Sequence, residues 1–140
     1  MKESICTALG MAGGAVAAAF GGWDAAMTAL LVTMAVDYIS GSLVALVFQK
    51  SNKTESGAYD SRYGWKGLCR KGLMLLFVLV AVRMDALMGA DYVRDAVCIG
   101  FCVNEILSTV ENLGLAGVPM PEAVVKALEQ LQNVQKAGDQ

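Results

Sequence analysis

Apolar residues in this chain gather into long runs of helical length instead of alternating as strands do. The first run, Ile5 to Trp23, is rich in Ala and Gly and carries no charge. At 1.5 Å per residue its roughly 18 residues cover about 27 Å, barely a bilayer core. The second, Ala25 to Phe48, carries one charge, Asp37, at its middle, and is the clearest spanning helix. Residues 49–64, QKSNKTESGAYDSRYG, are polar and loop-like. The third run opens basic at Lys66, Arg70 and Lys71, is apolar from Gly72 to Val82, and resumes at Ala86–Ala90 after Arg83 and Asp85. The fourth, Arg94 to Leu115, mixes apolar residues with Asn104, Glu105, Ser108, Glu111 and Asn112, and is the weakest span by hydropathy. Beyond Pro119 and Pro121, residues 122–136 read as a short amphipathic helix with Val124, Val125, Leu128, Leu131 and Val134 on its apolar side.

The pattern predicts an all-α, small polytopic membrane protein with three to four transmembrane helices and a short C-terminal amphipathic helix. Residues 1–121 form the membrane domain, with spans at about 5–23, 25–48, 68–90 and 94–115. Residues 122–140 are the C-terminal helix and tail. A cleavable leader competes for the first run, with Lys2 as its basic start and Ala17–Ala19 as small cleavage residues. Glu3 and the Gly13-Gly14 interruption argue against it. A soluble helical bundle competes for the whole, but the run at 25–48 would meet water on several faces.

Composition strengthens the membrane reading. Of 140 residues, 56% are hydrophobic and 17% charged, against about 45–50% and about 25% in soluble domains. A net charge of −2 gives no nucleic-acid footprint. Histidine is absent, which removes Ser-His-Asp and Cys-His nucleophile pairs and His-based metal sites. The spacing of Cys6, Cys69, Cys98 and Cys102 fits free, buried thiols better than zinc ligands. No catalytic, metal or cofactor residue is expected. Basic residues orient the chain: six lie in 49–72 (Lys50, Lys53, Arg62, Lys66, Arg70, Lys71), which places that connection in the cytoplasm. Four spans then put both termini there too.

Three constellations carry functional interest. Gly10, Gly14, Ala17 and Gly21 share one face of the first helix, and Gly41 adds a small residue in the second. Small residues let backbones approach closely, for self-association or for packing within one bundle. Asp37, Arg83 and Glu105 are expected near mid-membrane, Arg83 being placed roughly 20 Å beyond Arg70. Either an ion pair joins Arg83 to one of the acids, or the charges line a polar wall or proton site. In the fourth helix, Asn104, Glu105, Ser108, Glu111 and Asn112, together with Thr109, fall within an arc of about 160° at about 100° per residue. Such a face must line water, meet other polar helices, or lie in the interface.

At these residues the sequence resembles the phage holin family that also includes clostridial toxin-secretion holins. The resemblance is carried by Asp37-Tyr38-Ile39-Ser40-Gly41 with Ala45, and by Ser61, Gly64, Lys66, Gly67 and Lys71 in the basic stretch. It continues through Asn104-Glu105-Ile106-Leu107-Ser108, Glu111-Asn112, Gly114 and Gly117-Val118-Pro119-Met120-Pro121. Arg83 and the Gly/Ala-rich first helix have no counterpart in that pattern. The resemblance implies a non-enzymatic lysis protein that forms homo-oligomers in the host's cytoplasmic membrane. It implies permeabilisation of the lipid bilayer, releasing an endolysin that it need not touch. A small proton- or ion-coupled transporter, using Asp37 or Glu105, is the alternative.

Overall fold

The computed structural model describes residues 1–138. It is all-helical: α1 (Lys2–Ala19), α2 (Ala25–Leu43, extended by a π-helical turn over Val44–Phe48), α3 (Ser61–Met88), α4 (Val93–Leu115) and α5 (Glu122–Gly138). Each boundary has a local cause. Asp24 caps α2 by accepting the Met27 N–H at 3.0 Å. Asp60 caps α3 through the Arg62 N–H at 2.9 Å. Gly89, with φ 63°, closes α3 in the left-handed region. The Asp85 carboxylate reaches across the following turn and takes the Val93 and Arg94 N–H groups, each at 2.9 Å, which starts α4. Gly57 is fixed by space as well as by its φ of 71°, since a Cβ there would lie 2.3 Å from the Gln49 carbonyl oxygen.

α4 is the central helix: α2 and α3 both pack along it and meet each other more sparingly. Met27, Leu30 and Met34 of α2 meet Met74 and Val78 of α3 and Cys98 of α4 in the buried core. α1 has no buried residue, and no described residue of α5 is buried. A wide belt of Leu, Val, Ile and Phe stays exposed on α2, α3 and α4, as expected of helices meeting lipid instead of water.

Among the described residues, two helices are long and apolar enough to cross a membrane, Ala25–Phe48 and Val93–Leu115. α1 falls short because Lys2 and Glu3 lie within its 18 residues and most of the rest are Ala and Gly. α3 falls short because it carries charges at both ends. It also begins at Ser61, not near residue 68, so the basic stretch is helical and the polar loop is confined to 49–60. Two thiols depart from the expected burial: Cys98 is buried, but Cys6 and Cys69 are exposed.

Candidate functional site

Asp37 sits at the middle of α2, within an otherwise apolar helix, and is buried. Its counter-charge comes from α3: Lys71 Nζ donates to Asp37 Oδ2 at 2.7 Å. The same ammonium also hydrogen-bonds Glu105 Oε2 of α4. Asn112, two helical turns beyond Glu105, donates from Nδ2 to Asp37 Oδ1 at 3.2 Å and to Ser40 Oγ at 3.0 Å. Gly41 makes room for this amide, since a Cβ there would stand 3.4 Å from Asn112 Nδ2. Three helices are thus tied by two carboxylates, one ammonium and one amide. The side chains of Asp37, Glu105 and Lys71 are 9%, 5% and 12% exposed. At such burial a lone charge is strongly unfavourable, and the cluster is held by mutual pairing.

Arg83 is not the partner of either acid. It is exposed and forms no ion pair among the described residues. The reason is register. Lys71 lies about 15 Å along α3 from its start at Ser61, and Asp37 lies about 17 Å back from the end of α2 at Phe48, so the two meet at one depth. Arg83 is about 18 Å further along, close to the Gly89 turn. In sequence Lys71 reads as the edge of the basic loop, not as a site residue. The available signal was its position directly before the apolar run that starts at Gly72.

The polar arc of α4 is divided. Glu105 and Asn112 turn inward to the ion cluster, while Asn104 and Glu111 stay exposed. Ser108 lies between them, accepting from Lys53 Nζ at 3.4 Å. Asn104, Glu105, Ser108 and Glu111 line one wall of a half-open polar cleft of about 910 Å³. Asp37 and Lys71 lie on the same lining, and the C-terminal half of α2, the 49–60 loop, the first turns of α3, and Gln132 and Lys136 of α5 complete it.

A second polar cluster, which the sequence reading did not single out, lies at the other end of α4. Arg94 donates to the carboxylates of Asp24 and Asp95 and to the carbonyls of Phe20 and Gly22. It ties the α1–α2 turn to the start of α4. The Arg94 guanidinium, helped by the Met27 N–H, holds the Asp24 carboxyl below the usual carboxylate range against a smaller desolvation effect. On α1, Gly10 and Gly14 have nothing within 4 Å of a would-be Cβ, so that face is unpacked within the chain. Ala17 is half-buried. Gly21 leaves the predicted small-residue face: α1 ends at Ala19, and Gly21 is a turn residue with φ 79° facing Arg94 and Val82.

The apolar, all-helical chain is similar to known proteins. The sequence pattern of the bacteriophage holin family matches residues 14–133. The chain belongs to that family. An uncharacterised protein of Clostridium perfringens is 36% identical over 116 residues, covering 81% of this chain and 80% of the relative. A second C. perfringens protein, of 14.9 kDa and encoded in the nagH 3′ region, is 35% identical over 116 residues, 81% of this chain and 82% of its own. A Bacillus phage phi105 protein named "Probable holin" is 31% identical over 105 residues, covering 74% of this chain and 72% of its own. No solved structure matches the chain. Holin membership and the two apolar helices make this a membrane protein of a non-enzymatic family.

Proposed function

We propose that this holin-family chain oligomerises in the bacterial cytoplasmic membrane and permeabilises it, so that an endolysin reaches the cell wall and the host lyses. In this reading α1 and α3 cross the membrane with α2 and α4, the 49–60 loop is cytoplasmic, and both termini are cytoplasmic. One observation carries the proposal: Asn104 and Glu111 stay exposed on a helix of membrane length. Polar groups on such a helix need water or a polar partner, and this single chain leaves them on the wall of a half-open cleft. Several copies turning these faces to a common space would supply the water. Glu105 and Asn112, spent on the ion cluster, are not the permeating face; Asn104, Ser108 and Glu111 are.

The test is dye release from cells or vesicles carrying the full chain. The double substitution Asn104→Leu, Glu111→Leu should preserve insertion and abolish or sharply delay release, whereas Val110→Ala should change little. Release at the normal time in the double variant would refute the lined hole. Two carboxylates sharing one ammonium favour a second reading, an ion-coupled transporter. Substrate-dependent proton flux without dye release would select it.

A further inference from the structure

The cleft beneath the α2–α3 connection holds more cations than its carboxylates engage. Lys53, Lys66 and Arg70 all line it, and none has a carboxylate partner among the described residues. Lys53 Nζ is within 3.4 Å of Ser108 Oγ, and Lys66 Nζ lies 5.9 Å from the centre of the Tyr63 ring. Lys66 and Arg70 are one helical turn apart and share a face of α3. Two phenols converge on the same wall, with Gly64 giving them room. A Cβ at Gly64 would lie 2.7 Å from Tyr59 Oη and 3.4 Å from Tyr38 Oη. Outside the ion cluster, the wall carries two carboxylates, Asp60 and Glu111. Asp60 caps α3 through one oxygen and keeps its charge, and Glu111 stands on the α4 wall, so these two carboxylates face four cations, Lys53, Lys66, Arg70 and Lys136 of α5. The α3 and loop side therefore presents cations and hydroxyl donors, the set that recognises phosphate oxygens.

The cleft also sits at a telling height. Its lining runs from the ion cluster at Asp37 and Lys71 to Ser51, Lys53, Thr54, Tyr59 and Asp60 of the α2–α3 connection, the level of lipid headgroups when α2 crosses a bilayer. Tyr63 and Trp65 are exposed beside it, as aromatic side chains are at membrane interfaces. We propose that this cleft binds the phosphodiester headgroup of an anionic phospholipid, held by Lys53, Lys66 and Arg70 with the Tyr38 and Tyr59 hydroxyls. The site rests on the membrane reading above but not on hole formation. Seating a headgroup there would pin the loop and α3 to the bilayer surface beside the ion cluster.

Native mass spectrometry of the full chain in detergent tests this, with phosphatidylglycerol, phosphatidylcholine and inorganic phosphate as separate probes. Phosphatidylglycerol should be retained and phosphatidylcholine lost. The pair Lys66→Gln, Arg70→Gln should weaken phosphatidylglycerol binding by about tenfold or more. Tyr59→Phe, which removes one hydroxyl and keeps the ring, should weaken it several-fold without loss of folded protein. Lys2→Gln, on α1, should leave it unchanged. Equal retention of both lipids, or unchanged phosphatidylglycerol binding in the Lys66/Arg70 and Tyr59 variants, overturns the proposal. Inorganic phosphate that binds as tightly as the lipid also overturns it, assigning the cleft to a free anion. Parallel dye release separates the two readings: lost lipid selectivity with intact release sinks the headgroup site alone, and intact selectivity without release sinks the holin role alone.

Discussion

Removing Lys71 should be among the most damaging single changes in this chain. Its ammonium is the shared counter-charge of Asp37 and Glu105, and both acids are buried. Lys71→Met keeps an unbranched apolar side chain but strands two carboxylates that then face each other without a cation. Breaking a buried pair by deleting one partner costs about 3–5 kcal/mol. That is a change of about two to nearly four orders of magnitude in the folded-to-unfolded ratio, and a large share of the about 5–15 kcal/mol that holds a typical domain together. Restoring neutrality should restore much of this. The triple variant Lys71→Met, Asp37→Asn, Glu105→Gln leaves no charge in the cluster, and the carboxamide oxygen introduced on α2 would still accept from Asn112. The assay is thermal unfolding in detergent, read beside the steady-state level of membrane-inserted protein. Arg83→Leu is the control: Arg83 is exposed and unpaired among the described residues, so its loss should fall within about 0.5 kcal/mol. If Arg83→Leu destabilises as much as Lys71→Met, or if the triple variant is no more stable than Lys71→Met alone, the cluster does not hold the three helices together.

Gly14→Leu should leave the monomer fold intact, because nothing in the chain lies within 4 Å of that position, and should weaken helix-to-helix contact between copies; an unchanged cross-linking ladder with unchanged lysis timing would leave the glycine face to lipid. Asp24 should supply an acid-sensitive contribution to stability. Its folded value is lowered by Arg94, so the contribution is complete above the unfolded carboxylate value of about 4 and is lost as pH falls through the lower folded value. Asp24→Asn should flatten that acid limb of the unfolding-temperature profile, and an unaltered limb would show that the Arg94 contact does not respond to pH.

The helices themselves were legible in sequence because each is written in local terms. Long apolar runs and the polar stretch between them are read directly from the chain, and the caps the structure adds, Asp24, Asp60 and Gly89, also act within a turn or two of where they stand. The span at 25–48, the amphipathic character of α5 and the polar arc of α4 follow from periodicity, and the family follows from the Asn104-Glu105 to Pro121 string. What the ionisable groups touch did not follow. Asp37, Lys71, Glu105 and Asn112 are far apart in the chain, and their meeting depends on how α2, α3 and α4 slide against one another. α3 runs from Ser61 to Met88, and the way it packs sets Lys71 at the depth of Asp37 and carries Arg83 past it. The same packing divides the α4 arc, turning Glu105 and Asn112 inward and leaving Asn104 and Glu111 outside. Periodicity places residues on a face of their own helix, whereas only tertiary packing decides which part of that face is covered. Arg94 shows the limit most clearly: in sequence it is one base at a helix start, and in the fold its guanidinium donors gather two backbone carbonyls and two carboxylates.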